Sequence, residues 1–434
     1  MKREIETNFN GIVNIKDREN VHKAFFHVDN DLNTVIPCDS ESPKADYAST
    51  KEKKDGWLYG VAEDGCNVAF YHPKNFSVRV SAPRKLRTAK FHSPILLKST
   101  SGSEQDLRSF DAIEFYGGII DVLYGTDKII DRCHHSEKCI KFCDQDSYTK
   151  NFDVNIGEMK FKITYTISKD DLSNDLGKVP DLRNGIHSVL RFDFSEAQPI
   201  QKFLTYYNYA LNFLQFCAGR LNVGFKVKLH RKNSRDIVLT RIRKIFDDYA
   251  EDYLDITQVI RFDFLNDKFP KLFKLINEDT TRPYLHFLKK RNKHIGYILY
   301  NDIPDICAAL EREFEFCNKA KSHREHSRIY LKEKINTLID EFFEPMKSIF
   351  EKSLCIEHVK YEITKSYTID EMKYMISQFI KMRNLVSHAE IVWNEGRDIF
   401  PHLQLLVYFS VLKRSGYTID ESKCILSYMF NGEF

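Results

Sequence analysis

The sequence predicts an α+β protein, with a β-rich N-terminal part over residues 1–240 followed by an all-helical part over residues 241–434. Three observations carry this. Up to about residue 195, short apolar runs alternate with Gly- and Asp-containing breaks, the pattern of strands joined by tight turns. Gln201 to Cys217 has no Gly or Pro and spaces Phe203, Tyr207, Ala210, Leu214 and Cys217 three or four apart, as one face of a helix requires. Beyond about residue 240 the apolar spacing is helical almost throughout.

Taken in chain order, Lys44 to Asp55 is charged and apolar-poor, which predicts a loop. Trp57–Val61 and Val68–Tyr71 flank Glu63-Asp64-Gly65, the signature of a hairpin. Phe76–Val80, Phe161–Ile167 and Val189–Phe194 alternate with the period of two expected of half-buried strands, and Ala112 to Gly125 reads as β as well. Gly219 stands where the helix 201–217 needs a C-cap. Strand-like stretches follow at Val223–Leu229 and Ile237–Leu239. Helices are predicted near 240–254, 284–299, 303–321, 326–352, 368–388, 399–414 and 418–430, with Pro283, Pro304, Pro345 and Pro401 at boundaries or kinks. The pentapeptide Tyr-Thr-Ile-Asp-Glu occurs at 367–371 and again at 417–421. In both copies Thr precedes Glu by three residues, so each marks a helix start through a capping box.

The net charge of +3 in 434 residues excludes a polycation, so any nucleic-acid site is a local patch. No apolar run long enough for a transmembrane helix is present, and no apolar stretch follows Met1-Lys2-Arg3-Glu4; both point to a cytoplasmic protein with no membrane partner. The ten cysteines are scattered, as reduced thiols are. Cys133, His134, His135, Cys139 and Cys143 are zinc-capable residue types, but they lack a paired Cys-x-x-Cys knuckle and read as thiols. His323-Arg324-Glu325-His326 lacks the i, i+4 histidine pair of a zinc helix and reads as a solvated turn. No Gly-rich phosphate loop is present, which argues against nucleotide hydrolysis.

The helix beginning at Thr368 carries the chemistry. Ile369, Met372, Ile376 and Phe379 form its apolar stripe, and the next position on that stripe is Arg383, followed by Asn384-Leu385-Val386-Ser387-His388. A cation on a buried stripe demands anions or acceptors. Imidazole suits proton transfer near neutral pH, and a guanidinium fits phosphate oxygens through two hydrogen bonds. An amide between them can orient either partner. Residues five apart on an ideal helix point about 140° away from each other, at 3.6 residues per turn. Arg383 and His388 therefore converge only if the helix ends or bends at the motif, or if a second copy supplies half of the site. The same Arg-x4-His spacing occurs three times in the chain. Arg87/His92 lies in the β-rich part, and Arg397/His402 spans Pro401 at a loop-to-helix boundary. Only Arg383/His388 follows an uninterrupted amphipathic helix.

On these residues the sequence resembles the HEPN ribonucleases, whose active-site motif is Arg, a polar residue, a few variable positions and His on a late helix of a small bundle. The resemblance extends to ApeA-like bacterial anti-phage proteins, whose N-terminal domain is similar across Gly56–Leu58, Phe115–Leu123 and Tyr206–Gly224. The resemblance implies a metal-independent, cofactor-free endoribonuclease acting in abortive infection, with Arg383, Asn384 and His388 as its catalytic residues. It further implies a homodimer formed through the helical part, RNA as substrate, a transfer RNA among the candidates, and a phage-derived trigger sensed by the N-terminal part. Lys289, Lys290, Arg291 and Lys293 are the expected RNA-binding residues, and the basic run Lys226 to Arg243 is a weaker candidate. Two other readings stay open: a non-catalytic HEPN bundle that serves as an interaction module, and a ligand receptor whose helical part only dimerises.

Overall fold

The computed structural model describes residues 8–17, 20–29, 33–38, 57–71, 77–81, 86–93, 95–99, 107–125, 130–131, 141–142, 148–169, 186–231, 237–242, 259–278, 298–318, 329–350, 367–388 and 395–429. Within them the strands are β1 (Phe9–Asp17), β2 (Asn20–Val28), β3 (Asn33–Cys38), β4 (Trp57–Ala62), β5 (Asn67–Tyr71), β6 (Ser77–Ser81), β7 (Leu86–His92), β8 (Ile95–Ser99), β9 (Ser109–Tyr116), β10 (Ile130–Asp131), β11 (Lys141–Phe142), β12 (Lys150–Ile156), β13 (Met159–Lys169), β14 (Ile186–Pro199), β15 (Lys226–His230) and β16 (Ile237–Ile242). Fourteen of them form one antiparallel sheet in the order β12-β13-β14-β9-β15-β16-β8-β5-β4-β1-β2-β3-β7-β6, and β10 pairs with β11. The helices are α1 (Ile119–Leu123), α2 (Phe203–Ala218), α3 (Phe269–Glu278), α4 (Asp302–Cys317), α5 (Leu331–Phe350), α6 (Ile369–Ser387), α7 (Phe400–Arg414) and α8 (Ile419–Met429). β-rich residues thus precede helical ones, as the spacing predicts. None of the described helices is long and apolar enough to cross a membrane.

Strand register explains how the sheet separates its two faces. Ile163 of β13, Phe192 of β14, Ile113 of β9, Leu229 of β15 and Val238 of β16 stand opposite one another in turn, and all are buried. Such cross-strand rows are the unit of sheet stabilisation. One residue further along, Thr164, Arg191, Glu114 and Lys228 form the matching row on the other face, because successive side chains alternate. Glu114 there faces His230 at 3.2 Å, Lys228 at 3.8 Å and Arg191 at 3.9 Å. Burial raises its pKa, but the hydrogen bond from His230 and the charges of Lys228 and Arg191 outweigh the burial and leave the carboxyl below its usual range.

The sheet and the helical bundle share one apolar core, and α2 lies between them. On the sheet side, the Tyr206 ring lies 4.5 Å from Phe194 of β14 and 5.6 Å from Phe161 of β13. On the bundle side, the Phe216 ring lies 4.8 Å from Tyr408 of α7, and the Tyr408 hydroxyl donates to the Phe216 carbonyl at 3.2 Å. Gly219 closes α2 in the left-handed conformation, as a C-cap glycine does. A buried ion pair joins two bundle helices: Glu313 of α4 accepts Arg414 Nη2 of α7 at 2.6 Å, Arg414 Nε at 3.0 Å and Ser410 Oγ at 2.6 Å.

Four local expectations change. The apolar run after Phe115 does not continue as strand, because Gly117 and Gly118 turn the chain with positive φ and residues 119–123 become α1. A side chain at Gly118 would collide with the Gly224 carbonyl oxygen. Residues 240–242, expected to begin a helix, complete β16 by pairing with β8. Helix α3 adds to the expected helices: Phe269, Leu272, Phe273 and Ile276 carry its spacing and Pro270 suits its first turn. Helix α2 also buries Tyr206, Phe213 and Phe216 beside the predicted face, because it is covered on two sides. The expected loop 44–55, and the expected helices over 243–254 and 284–297, lie outside the described residues.

Candidate active site

Helix α6 is built as its sequence dictates. Thr368 Oγ1 accepts the Glu371 N–H at 3.3 Å, and Glu371 Oε2 accepts the Thr368 N–H at 2.8 Å, completing a capping box. The second copy of the pentapeptide does the same for α8: the Glu421 N–H reaches Thr418 at 3.3 Å, and the Thr418 N–H reaches Glu421 at 2.7 Å. Met372, Ile376 and Phe379 are fully enclosed, with Met375 and Met382 beside them, while Ile369 is half-buried. The stripe then reaches Arg383, which is half-buried.

The surroundings of Arg383 are those of a cation left available. Nη1 donates to Asn384 Oδ1 at 3.2 Å, and Nε is enclosed with no acceptor. Among the described residues no carboxylate pairs with it. Its guanidinium is close enough to Cys307 of α4 to oppose the effect of burial, which pushes that thiol up to about 12. Arg383 therefore lies on the side of α6 that faces α4, half-buried and without an ion pair among the described residues.

The helix stops at the motif. Ser387 is its last residue, and Ser387 Oγ donates back to the Arg383 carbonyl at 2.9 Å. His388 is the C-cap, at φ −98° and ψ 16°, and its N–H donates to the carbonyls of Asn384 at 3.2 Å and Leu385 at 2.9 Å. Asn384, Ser387 and His388 are exposed. The end of the helix at His388 meets one of the conditions under which Arg383 and His388 can converge. Among the described residues no hydrogen bond joins the two side chains.

The position of α6 depends on a contact distant in sequence. Gly396 lies in a 3-10 turn at Glu395–Ile399 that packs flat on α6. A methyl group at Gly396 would strike the Phe379 backbone nitrogen and lie 2.6 Å from the Gln378 carbonyl carbon. That contact is one turn before Arg383. The sequence shows a glycine here but gives no signal of its neighbour.

The two other Arg-x4-His pairs are not assembled. Arg87 and His92 both lie on β7, in the β-rich part and not on a helix. Arg397 is exposed and lies 3.4 Å from Asp398, whereas His402 is wholly buried with its ring 5.1 Å from that of Tyr367. Burial lowers the His402 pKa to about 4. The expected RNA-binding residues Lys289, Lys290, Arg291 and Lys293 lie outside the described residues, as do Cys133, His134, His135, Cys139, Cys143 and the 323–326 turn. Within the weaker basic run, Lys228 is committed to the sheet: besides Glu114, it lies 4.1 Å above the Tyr116 ring. Among the described residues no three His, Cys, Asp or Glu side chains are gathered into a group that could hold a metal ion.

No protein-family model, curated protein or solved structure matches the chain.

Proposed function

We propose that the protein is an endoribonuclease of the HEPN type, with Arg383, Asn384 and His388 as its active site. The observation that carries the reading is the unpaired guanidinium of Arg383, held by an amide at the end of a helix that exposes an imidazole. A structural arginine would have a carboxylate partner, as Arg414 has in Glu313. In the proposed reaction a base removes the 2′-hydroxyl proton, the 2′-oxygen attacks phosphorus, and the P–O5′ bond breaks as an acid protonates the departing oxygen. The products are a 2′,3′-cyclic phosphate and a 5′-hydroxyl. Arg383 binds the phosphate oxygens and the charge that develops on them, and His388 transfers protons. Two copies of the chain, with their α6 ends facing, supply one imidazole as base and the other as acid. The homodimer, an RNA target such as a transfer-RNA loop, and a role in anti-phage abortive infection belong to this proposal and rest on the sequence resemblance. End-mapping of RNA from cells expressing the wild type and His388→Ala tests it. Cleavage sites bearing cyclic phosphate should appear only with the wild type, and identical RNA ends in both samples would refute the reading.

A further inference from the structure

The charged side chains buried among the described residues are matched, with one exception. Lys98 pairs with Asp64 at 2.5 Å, Lys334 with Glu311 at 2.8 Å and Glu313 with Arg414 at 2.6 Å, and Asp302 accepts the Leu299 N–H at 2.6 Å. Arg220 is 5% exposed, its side chain makes no ion pair among the described residues, and its Nε is enclosed without an acceptor. Two residues further on, Asn222 is also 5% exposed, and both polar atoms of its amide are enclosed without partners. Burying a guanidinium Nε and a whole amide unmatched is unfavourable, and such groups call for completion by something else.

The loop that holds them touches both parts of the molecule. It follows the C-cap Gly219, where a side chain would press on Met429 of α8 and come within 3.9 Å of the Tyr408 hydroxyl of α7. It ends at Gly224, whose carbonyl accepts the Ile119 N–H of α1 at 2.9 Å, immediately before β15. The adjoining end of α2 is fixed by the Ile260 N–H, which donates to the Cys217 carbonyl at 2.8 Å.

We infer that Arg220 and Asn222 form a binding site for a small molecule that carries an oxyanion beside a group able both to donate and to accept a hydrogen bond. A guanidinium offers a planar fork that a phosphate or carboxylate satisfies with two bonds, and the amide requires one donor and one acceptor. A sugar phosphate or a nucleoside monophosphate presents this combination. Burial draws the Arg220 pKa down to about 10, so the side chain remains cationic at neutral pH and the requirement for an anion persists. Because the loop joins α7 and α8 to α1 and β15, a ligand bound there bears on both parts at once.

The site is independent of the ribonuclease assignment, and so is its test. Thermal melts and calorimetric titrations of the full chain, in chloride buffer at constant ionic strength, would use inorganic phosphate, acetate, ribose 5-phosphate, AMP and GMP as probes. At least one probe should raise the wild-type melting temperature saturably. Phosphate-bearing probes acting alone would identify the source as phosphate, and acetate acting as well would identify any oxyanion. Arg220→Gln should abolish the shift, and Asn222→Ala should weaken binding at least tenfold. Without ligand, Arg220→Gln should melt at or above the wild-type temperature, since an unmatched buried charge has been removed. A wild type that no probe shifts, a shift that survives Arg220→Gln, or a ligand-free Arg220→Gln that melts well below wild type would overturn the inference. The last outcome would make Arg220 a structural residue.

Discussion

At Arg383 the guanidinium has an amide for a neighbour where a structural arginine would have a carboxylate, and the proposed chemistry depends on that difference. Arg383→Ala and His388→Ala should each lower RNA cleavage by about 10²- to 10³-fold, the loss expected from deleting one preorganised group at a transition state. Arg383→Lys should recover little, because a point charge lacks the bidentate fork. Asn384→Ala should be milder, since the amide only holds the guanidinium. Arg397→Ala is the matched control and should cleave normally, because its side chain is exposed and beside Asp398. His402 serves a different test. Its folded pKa of about 4 lies below the unfolded value of 6.5. As pH falls, the unfolded chain therefore takes up a proton first. Stability should drop between pH 6.5 and 4 and level off below, by about 3 kcal/mol in total at 1.36 kcal/mol per unit. Denaturant melts of wild type and His402→Leu across that window check the sign: the variant should lose this part of the pH dependence, and parallel curves would contradict the assignment.

Helix α6 carries the motif, and its placement is a matter of packing. Gly396→Ala should force the 395–399 turn off the Gln378–Phe379 backbone, destabilise the fold by about 1–3 kcal/mol as other overpacked sites do, and lower cleavage by more than the folded fraction falls. Denaturant titration beside a cleavage assay would show this, and a variant equal to wild type in both would exclude the contact as a determinant. This is also the scale at which the limits of sequence reading are visible. The capping box at Thr368, the stripe from Met372 to Phe379 and the arrival of that stripe at Arg383 are local patterns, and they were legible. The fit of Gly396 against Phe379 and the absence, among the described residues, of a carboxylate paired with Arg383 depend on residues remote in sequence, and they were not. The same holds for α2: Phe203, Ala210, Leu214 and Cys217 announce one face, but Phe213 and Phe216 are buried because α3 and α7 cover the others. In α1 a short apolar run has the pattern of a strand, because the close approach of Gly118 to Gly224 leaves no local trace.

Across the molecule, the sheet, α2 and the bundle share one core, so the motif is held by a framework that begins in the β-rich part. Glu313 is the clearest lock within the bundle: Glu313→Ala removes the fully buried partner of the half-buried Arg414 and should cost about 3 kcal/mol in chemical denaturation, whereas a loss below about 1 kcal/mol would show the pair to be dispensable. On the proposed mechanism two chains meet through the helical part, so light scattering at micromolar concentration should give a dimer. A monomer that still cleaves RNA would remove the two-imidazole arrangement. The central claim is that Arg383 and His388 cleave RNA by proton transfer and phosphate binding. Its most direct test is incubation of purified wild type, Arg383→Ala and His388→Ala with RNA in excess EDTA, followed by end analysis. The account predicts cleavage by the wild type alone, leaving 2′,3′-cyclic phosphate or 3′-phosphate and 5′-hydroxyl ends. Cleavage that vanishes in EDTA and returns with magnesium or manganese, or that persists in both variants, would contradict it.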